Sequence, residues 1–450
     1  MTSSMTAAIS GLKAHQTRMD VISNNIANVN TIGYKASRVT FREAYNKQLS
    51  SATAPNVELG IGGKNPTQVG LGVSLNSVTT NFNSGSIDTT ENNLDVAIDG
   101  EGFLIVKNND AGEFLFTRSG ALGIDPLGNL VTASGAKVYG WSSYEPTKIG
   151  ADFDEEMQVE AINIYKDDYN GYKNSIEPTS TSFLTLTGNI NLGATTDIVI
   201  PASIYDSYGT EYTIEIKFSK AKVDPDDPTS ADILNTWNYS ISDGTADEIF
   251  TEMTGTVVFD GTTGNVGNMI EIDGQAVVPD QNLATNKINK TIEFKNLAGD
   301  VIDTIDVDFD FSGLTQYDST TSASVYDVDG YAAGSLVDYS IGEDGVITGV
   351  YSNGEQQPLG KIALATFSNE QGLKRIEGGL YSVTSNSGNF ETVSANTVAG
   401  SFVACALELS NVDLSTEFTD MIITQRGFQA NSKIISASDE LLQELVNLKR

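Results

Sequence analysis

Three residue types could carry chemistry in this chain, and their placement limits what that chemistry could be. Histidine occurs once, as His15, cysteine once, as Cys405, and Asp and Glu together 59 times. His15 lies in a helical N-terminal segment, far in sequence from any carboxylate cluster. That setting excludes multi-histidine zinc sites and a histidine-based nucleophile relay, and leaves His15 as a helix-face residue. Cys405 sits among Phe402, Val403, Ala404, Ala406 and Leu407, where a small buried hydrophobe is expected in preference to a reactive thiol. Asp306, Asp308 and Asp310 share one strand face, and Asp327-Val-Asp329-Gly330 resembles a fragment of a calcium loop. A complete loop needs a glutamate at its twelfth position, and neither place has the full pattern, so a solvated acidic face is the expectation. Carboxylate pairs of the glycosidase kind abound and none stands out. The chain therefore reads as a non-enzyme with no catalytic residue, metal, cofactor or small-molecule substrate.

The elements that could position anything here are helices at the two ends and β-structure between. Over residues 5 to 29 the apolar stripe is Met5, Leu12, Met19 and Ile26, with Ile9 and Ile22 beside it. Over roughly 407 to 448 it is Leu407, Leu414, Met421, Phe428, Ile435 and Leu442, with Phe418 and Leu445 alongside. A seven-residue repeat holds one helix face against a partner helix over several turns. Two such seams, so far apart in sequence, imply that the ends pair with each other or with copies of themselves. Helices of 25 and 42 residues would be about 37 and 63 Å long, and no helical partner for either stripe is expected inside the β middle. Both ends are therefore expected to stay largely disordered until subunits stack.

Charge is unevenly placed. Residues 1–50 carry six basic and two acidic side chains, whereas the whole chain is at −33. Such an acidic surface repels nucleic acid and anionic membrane. No stretch approaches the length of a membrane span, and no basic region followed by an apolar one marks a cleaved secretory signal. All ten prolines lie between Pro55 and Pro358, outside both helical ends.

Between the ends the pattern is Gly-rich and strand-like. The expected layers are terminal helices at 1–30 and 405–450, a connector at 31–90 and 390–404, an inner β domain at 91–145 and 326–389, and an outer β domain at 146–325. Ile214, Ile216 and Phe218 alternate with polar partners, as do Ile305, Val307, Phe309 and Phe311, which predicts half-buried antiparallel strands. Asp125-Pro126-Leu127-Gly128 fits a type I turn, Asp344-Gly345 and Asn353-Gly354 fit hairpin turns, and 223–230 reads as a surface loop. A long insertion into an inner domain's surface loop costs little closure entropy. The fold class is thus mainly β with coiled-coil helical termini, in a nested multidomain polymer subunit.

These residues also resemble a known family, the bacterial flagellar rod and hook axial proteins. Ser23 through Lys35 resembles that family's N-terminal signature, through Asn24, Asn25, Ile26, Ala27, Asn28, Thr31, Gly33, Tyr34 and Lys35. Leu94 through Phe103 and Phe116-Thr117-Arg118 through Val131 are similar to its next blocks. Leu409 to Leu414 and Gln425, Arg426, Gly427, Phe428, Gln429, Ala430 and Asn431 resemble its C-terminal blocks. The likeness covers about residues 1–145 and 326–450, and the length with its inserted middle resembles the hook type over the shorter rod type. The resemblance implies a subunit of a curved, bendable extracellular tube that passes motor torque from rod to filament. It further implies self-association, contacts with flagellar rod, hook cap and hook–filament junction proteins, and export through the flagellar type III apparatus. A distal rod subunit and a secreted calcium-dependent β-adhesin are the rival expectations.

Overall fold

The computed structural model describes residues 2–54, 62–109, 112–145, 152–167, 171–222, 231–243, 253–272, 275–276, 287–295, 301–397 and 399–447. The expected loop at 223–230 lies outside them. Helix α1 spans Thr2–Ala27 and α2 spans Leu414–Asn447, with strands filling the sequence between. By contact the chain divides into two compact units.

The first unit comprises Met1–Lys173, Asp338–Gly349 and Gln356–Arg450. It holds both helices and an antiparallel ribbon of Ser37–Glu43 with Val73–Thr80, bulged between Thr40 and Phe41. Its β core is organised on Phe103–Lys107, which pairs antiparallel with Leu115–Thr117, Lys137–Trp141 and Leu364–Phe367. Aromatic rings fill this core edge to face. Phe116 meets Phe367 at 4.8 Å between centroids, and Phe103 meets Phe82 and Phe367 at 5.6 Å. Such edge-to-face pairs add to plain area burial because ring edges and faces carry opposite charge. The turn at Asp125 forms as its residues dictate: Gly128 N–H donates to Asp125 C=O at 2.9 Å, and the Asp125 carboxylate accepts from Leu127 and Asn129 N–H.

The expectation of helix from about 405 is corrected. Ser401–Ala404 pairs with Val96–Asp99, and Ala406–Glu408 pairs with Ile87–Thr89, both antiparallel. Leu407 therefore lies on a strand, and its heptad spacing from Leu414 is coincidental. The helix begins after Asp413, whose carboxylate accepts the Ser415 N–H at 2.9 Å and the Thr416 hydroxyl at 2.7 Å. That is an N-cap, satisfying a donor that has no partner inside the helix. Cys405 sits between the two strands, half-buried with φ of +51°, and not at the start of a helix.

The second unit comprises Asn174–Val337 and Val350–Glu355. A six-stranded antiparallel sheet carries Ile198–Tyr205, Glu211–Lys222, Asp232–Ser242, Met253–Phe259, Val266–Ile272 and Gln275–Ala276. A four-stranded sheet carries Lys287–Lys295, Val301–Tyr317, Phe183–Asn191 and Ser324–Val328. Ile214, Ile216, Phe218, Val307, Phe309 and Phe311 are fully buried in one core, with Ile305 nearly so. The alternation in sequence thus reports a real two-faced strand. The antiparallel expectation fails at the centre of the four-stranded sheet, where Phe183–Asn191 runs parallel to Val301–Tyr317. Period-2 patterning reveals which side is buried and carries no information on strand direction.

Candidate assembly interface

Helices α1 and α2 pack antiparallel, and, Ile22 apart, the residues that join them are small or polar. A Cβ on Gly11 would lie 2.9 Å from the Asn431 side chain, and a Cβ on Gly427 would lie 2.5 Å from the His15 ring. Arg18 donates to Asp420 at 2.8 Å, and Asn25 donates to Glu417 at 2.9 Å. Ile22 and Thr424 are buried in the same pair of helices. The α1 positions 11, 15, 18, 22 and 25 and the α2 positions 417, 420, 424, 427 and 431 step by threes and fours, so this is a heptad seam. Small residues at 11 and 427 let the two backbones approach.

The seam is displaced from both apolar stripes. Met5, Leu12, Met19 and Ile26 stand one position after 4, 11, 18 and 25, and Met421 and Phe428 stand one position after 420 and 427. One residue is about 100° of helix rotation. The stripes therefore flank the helix pair and do not close it. Among the described residues of the expected stripes, only Ile22 is buried. Met5, Leu12, Met19, Ile26, Met421 and Ile435 are half-buried. Ile9, Leu414, Phe418, Phe428 and Leu442 are exposed, Phe418 by 51%. The side chain of Leu445 lies outside the described residues. Sequence periodicity also missed Ile422, Ile423, Ile434 and Leu441, which are exposed on α2.

A third side of α1 meets the ribbon. Ser10 Oγ accepts the Val73 N–H at 3.1 Å, and Phe41 stands edge-on to His15 at 6.3 Å. Burial, with Arg18 nearby, lowers the His15 pKa from its ordinary value. Its Nδ1 is buried without a hydrogen-bond partner among the described residues. Burial raises the Glu417 pKa, opposed by the hydrogen bond from Asn25.

The signature after α1 builds a corner. Asn25 is buried, donates to Ser37 C=O at 2.9 Å, and accepts from the Ser37 N–H and the Tyr34 hydroxyl. Asn28 donates back to Asn24 C=O, and the Thr31 hydroxyl donates to Asn28. Gly33 has φ of +67°, and a Cβ there would lie 2.8 Å from the Arg118 backbone. Both conditions require glycine. The Gly33 N–H donates to Glu408 C=O at 2.8 Å, and Lys35 Nζ reaches Glu408 Oε1 at 2.6 Å. Ala27 is exposed at the last helical residue. The C-terminal motif differs: Gln425, Arg426, Phe428, Gln429 and Ala430 are all exposed, while Gly427 and Asn431 turn to α1.

The acidic strand is tied to neighbours within its sheet. Asp308 accepts from Asn289 at 2.6 Å, Asp306 from Thr291 at 2.5 Å, and Lys287 pairs with Asp310 at 3.2 Å. Asp329 accepts the N–H groups of Ser182 and Phe183. Among the described residues no group of three or more His, Cys, Asp or Glu is arranged to hold a metal ion.

Known proteins resemble this chain in sequence along its whole length. Residues 5–35 match the family described as Flagella basal body rod protein, and residues 97–204 match Flagellar hook protein FlgE/F/G D1 domain. Residues 193–331 match Flagellar basal body protein FlaE D2 domain, and 404–448 match Flagellar basal body rod FlgEFG protein C-terminal. Flagellar hook protein FlgE of Treponema pallidum is 35% identical, covering 100% of both chains. Flagellar hook protein FlgE of Borreliella burgdorferi is likewise 35% identical over 100% of both. Flagellar basal-body rod protein FlgG of Bacillus subtilis is 27% identical over 100% of both.

Proposed function

On the premise that this chain belongs to the flagellar hook protein family, we propose how its surfaces build the hook. It is a structural subunit of the flagellar hook and assembles as a homopolymer in that structure. The observation that carries the reading is the one-residue offset between the polar seam and the apolar stripes. A helix pair closed by Gly11, His15, Arg18 and Asn25 leaves Ile9, Leu12, Phe418 and Phe428 on faces that other copies can cover. Exposed apolar surface of this extent marks an association site.

In this reading the terminal helices of successive subunits line a shared bore, and the exposed Gln425–Ala430 segment faces neighbouring copies. Each subunit presents one surface to a different surface on the next, a heterologous geometry that does not close and so grows a filament. The β domains meet their neighbours through small polar contacts that slide while the bore holds, which lets a curved tube turn about its own bent axis and pass torque. The chain leaves the cell by the flagellar type III apparatus and contacts rod, hook cap and junction proteins at the tube's ends. It performs no catalysis.

A distal rod subunit is the rival within the family, and identity favours the hook, at 35% to two hook-named relatives against 27% to a rod-named one. The test is negative-stain microscopy of the concentrated protein and of cells lacking it. Curved tubes and filamentless cells are expected. Protein that stays dispersed at every concentration, or mutant cells that keep their filaments, would overturn the proposal.

A further inference from the structure

We propose that a buried ion cluster makes the first unit's β core wait for the far end of the chain before it closes. Lys35, Arg118 and Glu408 have side chains at most 1% exposed. Lys35 Nζ lies 2.6 Å from Glu408 Oε1, and Arg118 Nη1 lies 3.9 Å from Glu408 Oε2. The Gly85 N–H also donates to Glu408 Oε1 at 2.7 Å. The other carboxylate facing both cations from the C-terminal part is Glu370, and burial raises its pKa. Glu101 faces Arg118 as well but is exposed. The two buried cations thus come from positions 35 and 118, and the anions that balance them come from 370 and 408.

The cluster has nothing in reserve. Arg118 Nε and Nη2 and Glu408 Oε2 find no hydrogen-bond partner among the described residues. Arg118 otherwise donates to Gly100 C=O at 2.8 Å and lies over the Phe103 ring at 4.6 Å. Lys35 otherwise donates to Asn83 C=O at 3.0 Å. Enclosing a cation without its counter-charge is strongly unfavourable, far more so than never having placed one there. Residues 33–120 therefore cannot close over Lys35 and Arg118 until Glu408 arrives. Neighbouring contacts arrive in the same short segment. The Gly33 N–H binds Glu408 C=O, Asn411 binds the Ala36 N–H and the carbonyls of Asn81 and Asn83, and Ser401–Ala404 completes the pairing of Val96–Asp99. A chain delivered N-terminus first is thereby held open over its first unit until nine-tenths of it has emerged. This holds for any N-to-C delivery and does not depend on the assembly reading.

The experiment is pulse-labelled hydrogen exchange during refolding of the full chain, comparing wild type, E408Q and K35M/R118M/E408M. In the wild type the amides of Phe103–Lys107 and Lys137–Trp141 should gain protection in the same phase as Ser401–Ala404. Native E408Q should exchange at these amides on the order of 100-fold faster, with Glu211–Lys222 in the second unit unchanged. In the triple variant, which has no charge to enclose, Phe103–Lys107 should be protected in an earlier phase than Ser401–Ala404. A wild-type core protected ahead of Ser401–Ala404 would overturn the proposal. So would unchanged exchange in E408Q, or a triple variant that still waits, since strand pairing alone would then set the order. Should the triple variant not fold, a wild-type core protected ahead of Ser401–Ala404, or unchanged exchange in E408Q, still overturns the proposal.

Discussion

Gly427→Ala sets two effects of known size against each other at one point of the helix seam. A Cβ at 427 would stand 2.5 Å from His15 Cε1 and 2.6 Å from Nε2. Ordinary carbon contacts lie at about 3.5–4.0 Å, so the ring must retreat by about 1 Å. Phe41 also stands edge-on to that ring, at 6.3 Å. Replacing an interior helical glycine by alanine gains about 1 kcal/mol of helix propensity. Overpacking a filled contact costs about 1–3 kcal/mol. The expected net is a loss of about 1 kcal/mol from the middle of those ranges. In a His15→Ala background the obstruction is gone, so the same substitution should regain its propensity and stabilise by up to about 1 kcal/mol. The double-mutant cycle should therefore show coupling of about 1–2 kcal/mol, within the range for residues in contact. The assay is the urea midpoint of helix ellipticity in assembled tubes of the four proteins. A Gly427→Ala variant stabilised equally with and without His15 would refute the seam, because no ring would then be opposite that glycine.

Three other outcomes follow from the same geometry. In dilute monomer, amides across 5–29 and 410–445 should exchange rapidly, because a seam of small and polar residues buries little apolar surface; strong protection there would show that the pair stands alone. Acid should weaken the helix pair through His15. Its folded pKa lies below 6.5, so the unfolded chain binds more protons below that pH, and stability falls as pH drops through the window beneath 6.5 and is flat above it. The difference between wild type and His15→Gln isolates this slope from the carboxylate of Glu417, and identical pH profiles would exclude it. Finally, tube curvature should change between about 10 mM and 1 M salt, over which screening lengths fall from about 30 to 3 Å, because the chain carries a net charge of −33; unchanged curvature in cryo-microscopy would remove charge from the account.

Much of this was legible in the residues, and what was not has identifiable causes. Absence of proline and the heptad spacing located both helices, and alternation at 214–218 and 305–311 located buried strand faces. The stripes were read as the seam because periodicity detects large apolar side chains. Close packing at Gly11 and Gly427 leaves no apolar signal, and neither does Arg18 with Asp420. Glu408 was invisible as a partner of Lys35 because one carboxylate among 59 carries no mark in sequence; only the strand pairing of Ala406–Glu408 brings it there. That same pairing removed Leu407 from the helix. The corner at Asn24 to Lys35 was legible as a motif, yet its reason, the backbone of Arg118 against Gly33, is a contact between residues 85 positions apart.

The central claim is that the apolar faces flanking the helix pair are the surfaces by which subunits join. It is tested most directly by the critical concentration for polymerisation of Ile9→Ser/Phe418→Ser/Phe428→Ser, measured by sedimentation. These three side chains are 40%, 51% and 41% exposed in the single chain, so the variant should melt within its β units as the wild type does. Covering the exposed part of each contributes about 1 kcal/mol, which predicts a critical concentration raised by about 100-fold. A variant that polymerises at the wild-type concentration would contradict the account.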